Sequence, residues 1–296
     1  MILVAGGTGT LGTRLLPLLA DRGLDVRILS RKHGKAPPLL GDRVKILDGD
    51  VRDPRIVEQA MDGARTVISA ITGFGMDRDV SPRTVDREGN ANLIGAAKTA
   101  GVEHFILLSV CQAGPDHPIE LFRMKDRAEE ALRASGLAWT IIRPTAYMET
   151  WVGILGAPLL TTGSTRIFGR GENPINFVSA DDVAGFVDLA VSDHATRGAT
   201  VEVGGPENHT MNQLVETLQA STGVGGKVSH IPLPMMRVMA AVLRPFNPTM
   251  ADLTAAAIVM DTRDMTFDAS ATRSLYPSIP VTRLADVVRK RDAPPS

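Results

Sequence analysis

The amino-acid sequence predicts an α/β fold, a doubly wound parallel sheet with a smaller C-terminal cap region. Three observations carry this. Short apolar runs rich in β-formers alternate with segments of helical apolar spacing over about half of the chain. Glycine, proline or aspartate punctuates most of the changes. Hydrophobic residues make up 44 % of the 296 residues but aromatics only 4 %, so the core is aliphatic, as in a parallel sheet covered by helices on both faces.

Residues 2–5 (Ile-Leu-Val-Ala) read as a first strand. Leu11, Leu15, Leu18 and Leu19 then recur at helical spacing over residues 10–22, and Gly23 ends that helix. Strands follow at 26–29, 44–47 and 66–70. Between the last two, Pro54 stands just after Asp53, a helix start, and the helix runs to Met61. A long helix is expected over 84–100, stopped by Gly101, and a fifth strand at 105–108. Residues 119–134 are helical up to Gly136, and a sixth strand at 138–143 meets Pro144. Beyond it the pattern changes. Residues 153–173, rich in Gly, Thr and Pro, read as loop. Strands are expected at 175–178 and 200–203, and helices from 180 to about 191 and at 211–221, 234–243 and 249–260. Residues 292–296 are expected to fray. The expected division is a core of residues 1–150 and a mixed region, 151–296, that adds late sheet strands and a substrate-binding cap.

Lys and Arg total 32 against 33 Asp and Glu, a net charge of -1. That balance leaves no broad footprint for nucleic acid or an anionic membrane. Cys111 is the one cysteine, which excludes a disulfide framework and a Cys-based zinc site. No His/Asp/Glu cluster has metal spacing. The N-terminus lacks the basic region of a signal peptide, and no window approaches the roughly 20 apolar residues of a spanning helix. The expected protein is cytoplasmic, a monomer or homodimer, with a small-molecule substrate and no nucleic-acid, membrane or metal partner.

The loop Gly6-Gly7-Thr8-Gly9-Thr10-Leu11-Gly12 follows a strand and opens a helix. Its Gly6-x-x-Gly9-x-x-Gly12 spacing has a mechanical reason: one glycine makes the tight turn, one admits a pyrophosphate to the backbone, and Gly12 packs helix on strand. The helix N-terminus then holds the anion. This is the Rossmann-type arrangement. The end of the second strand selects the dinucleotide. An acid there would bond the ribose hydroxyls of NAD; this chain has Arg31 and Lys32 after Ser30. Arg31 can fork onto a 2′-phosphate, which favours NADP(H) over NAD(H), although both are also ordinary loop cations. Asp50, just past the third strand, reads either as a partner for the adenine amino group or as a plain turn aspartate.

Residues 6–12, Gly49-Asp50-Val51-Arg52-Asp53, residues 97–109 (AKTAGVEHFILLS), residues 135–144 (SGLAWTIIRP) and residues 177–184 (FVSADDVA) together resemble atypical short-chain dehydrogenases/reductases, the NmrA-like branch in particular. The resemblance covers residues 1 to about 190. It implies cofactor contacts from Gly6, Thr8, Gly9, Thr10, Leu11, Gly12, Arg31, Lys32, Asp50, Val51, Ala70, Ile71, Lys125, Pro144 and Thr145. It implies less about the reaction, because the branch includes reductases and non-enzymatic redox sensors.

Short-chain reductases use a Ser at the end of the fifth strand and a Tyr four residues before a Lys. Ser109 and Lys125 match the first and last. The tyrosine position is Leu121, which has no proton to donate. Lys125, with Glu129 one turn on, resembles the pattern of the branch, and a surface salt bridge between the two is the alternative. The catalytic candidates are therefore Lys125, Ser109 and Tyr147, the last in the loop after the sixth strand. Candidate substrate-pocket residues are Phe74, Met76, Cys111, Phe122, Tyr147, Met148, Trp151 and Phe168. The reading that follows is an NADP(H)-dependent oxidoreductase acting on a small apolar carbonyl, quinone or enone. The alternatives are a non-catalytic NADP(H)-binding redox sensor and a cofactor-retaining isomerase.

Overall fold

The structure, a computed structural model, describes residues 1–31 and 41–292. The chain forms two compact units that are not consecutive in sequence. One comprises Met1–Pro144 and Val183–Glu202, the other Thr145–Asp182 and Val203–Ser296.

The first unit is built on a parallel sheet. Its strands are β1 (Ile2–Ala5), β2 (Val26–Ser30), β3 (Val44–Asp48), β4 (Thr66–Ser69), β5 (His104–Leu108) and β6 (Trp139–Pro144). With β10 (Thr200–Val203) they form a seven-stranded sheet in the order β10-β6-β5-β4-β1-β2-β3. The pairs from β3 across to β6 are all parallel. The order reverses between β1 and β4, so their C-terminal ends open a crevice at the switch point, where such sheets bind ligands. Every residue of β1 and β5 is buried, which explains why they read as continuous apolar runs rather than alternating ones.

Helices α1 (Gly12–Asp21), α2 (Pro54–Met61), α3 (Asn90–Thr99) and α4 (Glu120–Arg133) connect these strands. Leu3, Val67, Phe105 and Leu107 of the sheet share one core with Val57 and Met61 of α2, Leu93 and Ala97 of α3, and Ala128 and Leu132 of α4. Each such side chain contributes about 1.5–3 kcal/mol by leaving water. Asp53 caps α2 by accepting the Arg55 N–H at 2.9 Å, with Pro54 next to it. The single helix expected over 84–100 is instead two segments. Pro82–Gly89 is a π-helical turn, opened by a Ser81/Thr84 capping box, and α3 follows it. The wider turn brings Asp86 to a fully buried position; π-turns of this kind concentrate at functional sites.

The second unit contains β7 (Ala146–Tyr147), α5 (Met148–Thr162), β8 (Ser164–Phe168), β9 (Ile175–Val178), β11 (Asn208–His209), α7 (Met211–Thr222), β12 (Lys227–Ile231), α8 (Leu233–Leu243), α9 (Pro248–Thr262), α10 (Ser270–Leu275) and α11 (Leu284–Asp292). α6 (Ala180–Ser192) begins in it and ends in the first. Strands β11-β9-β7 form one small sheet and β12-β8 another. The expected loop at 153–173 is wrong. Met148, Val152, Leu155 and Leu159 repeat at helical spacing along α5 and share a core with Leu214 and Leu218 of α7. That burial outweighs the weak helix propensity of Gly153, Gly156 and Pro158. The helix ends at Gly163, left-handed at φ 66°. Of the expected fraying tail, residues 293–296 lie outside the described residues. Among the described residues no helix is long and apolar enough to cross a membrane.

Candidate functional site

The glycine loop lies at the switch point, between β1 and α1. Gly6 has φ +85°, and a Cβ there would stand 2.5 Å from the Ala70 carbonyl oxygen. That oxygen belongs to the residue just past β4, so a side chain at position 6 would push the two strand ends apart. A Cβ on Gly12 would lie 2.4 Å from Gly7 Cα, so α1 packs on its own loop only because position 12 is glycine. Thr8, Gly9 and Thr10 between them are exposed. Helix α1 has no side-chain cap and no acid in its first turn. Its amide end is thus compatible with an anion. A loop of this shape fits a pyrophosphate.

Thr8 Oγ1 lies 3.0 Å from Ser30 Oγ, tying the loop to the end of β2 beside Arg31. Arg31 is half-exposed and its guanidinium meets Asp77 at 3.2 Å. The Asp79 N–H and Arg31 together hold the Asp77 carboxyl below its usual range. Asp50 is not a free partner for a base. It accepts from Arg52 N at 2.9 Å and from Arg52 Nη2 at 2.6 Å. Burial would raise its pKa, but those hydrogen bonds prevail and lower it. Val51 is core, packed against Gly89. Lys32 lies outside the described residues.

Lys125 sits on the buried stripe of α4 with Phe122, Glu129 and Leu132. Its ammonium has three N–H donors and three partners: the carbonyls of Ile71 and Leu108, each at 2.8 Å, and Asp86 Oδ1 at 3.0 Å. Oδ1 accepts no well-aligned hydrogen bond, so the Asp86 contact is an ion pair first. Asp86 Oδ2 accepts the Gly73 N–H at 2.8 Å. Burial raises the Asp86 carboxyl, against the pull of Lys125 and Gly73. The loop after β4, the end of β5 and the π-turn thus meet on one ammonium.

Ser109 is engaged as well. Its hydroxyl donates to Glu129 Oε1. Arg143 Nε donates to the same oxygen at 2.8 Å, while Arg143 Nη2 and Arg133 Nη2 donate to Oε2 at 2.7 Å each. Burial opposes ionisation of Glu129, but the bonds from Arg143, Ser109 and Arg133 outweigh it and lower the pKa. The alternative of a surface Lys125–Glu129 bridge fails: both residues are buried, and each has its own partners.

Burial pushes the Cys111 thiol up to about 12, helped by Glu202, and Sγ donates to the Arg143 carbonyl at 3.4 Å. Beside it Gln112 holds φ +64°, the one positive value off glycine among the described residues. The Cys111 N–H donates to the Pro144 carbonyl at 2.9 Å. Phe122 stacks on His117 with centroids 4.0 Å apart. Phe74 is half-buried and Met76 is 72 % exposed.

The remaining candidates belong to the second unit. Thr145 Oγ1 donates to Asn176 Oδ1 at 2.9 Å. Tyr147 pairs with Val178 in the β7–β9 ladder, and burial, with Glu149 nearby, raises its phenol. Met148 is fully buried in the core. Trp151 and Phe168 line an apolar pocket with Ile154, Ile167, Met260 and Asp261.

Sequence reasoning missed Asp86 and the role of Glu129. The signal for Glu129 was present, one turn from Lys125 on the stripe of Phe122 and Leu132. Asp86 had none beyond the apolar Val80 and Val85 near it. Among the described residues no group of three His, Cys, Asp or Glu is placed to hold a metal ion.

A family model described as NAD(P)H-binding matches residues 6–194. The photosystem II assembly factor Ycf39 of Synechocystis sp. is 30 % identical over 249 residues, 84 % of this chain and 76 % of that protein. The NAD(P)H azoreductase of Xenophilus azovorans is 30 % identical over 224 residues, 75 % of this chain and 74 % of that one. The NADPH-dependent quinone oxidoreductase QOR2 of Escherichia coli, solved with NADPH, has a TM-score of 0.76 at 23 % identity and covers 98 % of this chain and 99 % of its own. The glycine cradle at the β1–β4 switch point and these matches make the chain a member of the NAD(P)H-binding family, of the NmrA-like atypical short-chain dehydrogenase/reductase type.

Proposed function

We propose that this protein is an NADP(H)-dependent oxidoreductase that reduces a small apolar carbonyl, quinone or enone. The observation that carries the reading is the cradle of Gly6 and Gly12 joined, through Thr8 and Ser30, to Arg31. A guanidinium where NAD enzymes place an acid suits a 2′-phosphate. The nicotinamide group supplies a hydride when bound.

The chain's own residues narrow the acceptor. Leu121 has no proton to give. Lys125 gives N–H groups to two carbonyls and pairs its charge with Asp86. Ser109 spends its proton on Glu129, and Tyr147 is a weaker acid than a free phenol. A quinone suits such a site. Hydride addition leaves a phenolate whose charge the ring spreads, and water protonates it. A simple ketone would leave an alkoxide that needs a strong acid in place. The test is to mix protein and NADPH with a panel of quinones, enones and simple ketones and follow loss of the reduced-nicotinamide absorbance. Quinones turning over faster than ketones is the expected result. No turnover with any acceptor, despite tight NADPH binding, overturns the reading.

The same committed side chains favour a second reading, a redox sensor that binds NADP(H) and acts through a protein partner. The relatives named as photosystem II assembly factors give it weight. It requires NADP+ and NADPH to bind with different affinities; equal dissociation constants leave a sensor no basis for switching.

A further inference from the structure

The second unit carries an apolar face that no described residue covers. Helix α8 packs against α9 and buries Met236. On its outer half Val238 is 62 % exposed, Val242 59 % and Met235 50 %, and Phe246 in the turn that follows is 82 % exposed. At helical spacing Met235, Val238 and Val242 lie together, while Arg237 and Arg244, seven residues apart, line the other edge of the exposed half. We propose that this face docks on an anionic lipid surface.

Charge selects that occupant. The chain as a whole is balanced, but no Asp or Glu occurs between Glu216 and Asp252, whereas Lys227, Arg237 and Arg244 do. Arg244 meets Asp252 at 3.3 Å, with both side chains at least half exposed. Water screens such a pair, and the guanidinium can turn to a lipid phosphate. An apolar stripe beside arginines, on a helix too short to span, is the pattern of a helix lying in the headgroup plane. A second copy of the chain fits less well. Four partly exposed side chains fall short of the ~800 Å² per partner of a standard interface, and arginine edges facing each other would repel.

The test is cosedimentation of the full chain with vesicles of phosphatidylcholine and phosphatidylglycerol, three parts to one, at low salt. Binding is expected, weaker on pure phosphatidylcholine and weaker as salt rises. Val238→Asp/Val242→Asp is expected to lower the partition coefficient about tenfold or more, and Arg237→Glu about fivefold. These positions are exposed, and an unchanged melting temperature and NADPH affinity confirm that the variants fold. Three results would overturn the proposal. The first is no sedimentation of the wild type with anionic vesicles. The second is equal binding by folded variants. The third is a dimer in analytical ultracentrifugation that Val238→Asp/Val242→Asp converts to monomer.

Discussion

Replacing Asp86 by Asn tests the buried ion pair directly. The amide is nearly isosteric and its oxygen can still accept the Gly73 N–H, now 2.8 Å from Oδ2. What disappears is the negative charge 3.0 Å from Lys125 Nζ. Both side chains are almost wholly out of water, at 6 % and 0 % exposure, so solvent cannot replace the lost partner. Breaking a buried pair from one side costs about 3–5 kcal/mol, a fall in melting temperature on the order of 10 °C for a domain of this size. Lys125→Met should cost a similar amount. The double variant Asp86→Asn/Lys125→Met removes both charges and should cost much less than the sum, with a coupling of about 2 kcal/mol or more. Thermal and urea unfolding of the four proteins measure the cycle. If Asp86→Asn costs under about 1 kcal/mol, or the singles simply add, the pair does not carry a charge interaction. Burial would then have kept the Asp86 carboxyl protonated, and the account of Lys125 as the cation of a buried ion pair would fall.

Arg31→Asp should weaken NADPH about 10- to 100-fold, the loss of one charge-assisted bond to phosphate, while NADH is unchanged or improves; equilibrium titration of both cofactors checks it. Glu129→Gln should cost about 3 kcal/mol at neutral pH. The Glu129 pKa is lowered in the fold, so its stabilisation is present above the unfolded carboxyl pKa and lost as pH falls through the folded one. The gap between wild type and Glu129→Gln should therefore close in acid, read from melting temperature against pH. Leu121→Tyr restores the phenol of the standard reductases, yet should change quinone turnover less than about twofold, because the Lys125 charge is already paired with Asp86. Gly12→Ala should abolish dinucleotide binding, since its Cβ would meet Gly7 Cα at 2.4 Å.

The glycine loop was legible because everything that defines it is local. Strand, turn and helix N-terminus follow each other within the first dozen residues, and Arg31 is placed by the strand it ends. The first half of the sheet was legible for the same reason, as its strands read as short apolar runs, buried throughout in β1 and β5. Helix α5 was not. Gly153, Gly156 and Pro158 oppose a helix locally, and only the burial of Val152, Leu155 and Leu159 against α7 overrules them.

The sequence by itself determined a nucleotide-binding α/β core, its glycine cradle and the absence of the reductase tyrosine at Leu121. Only the tertiary structure decided what the neighbouring polar residues do. Helix α4 is rich in charge, and its spacing alone leaves open a solvated face with Lys125 and Glu129 as a pair along it. Packed on the sheet, that stripe is buried, and burial forces each charge to find a partner. Lys125 finds Asp86 from the π-turn, and Glu129 finds Arg143 at the end of β6 and Ser109 after β5. Those partners are far away in sequence, and no spacing rule joins them. Likewise an aliphatic composition says only that a core exists. Which apolar side chains remain outside it, as Val238, Val242 and Phe246 do, depends on which face of α8 the α9 helix leaves uncovered.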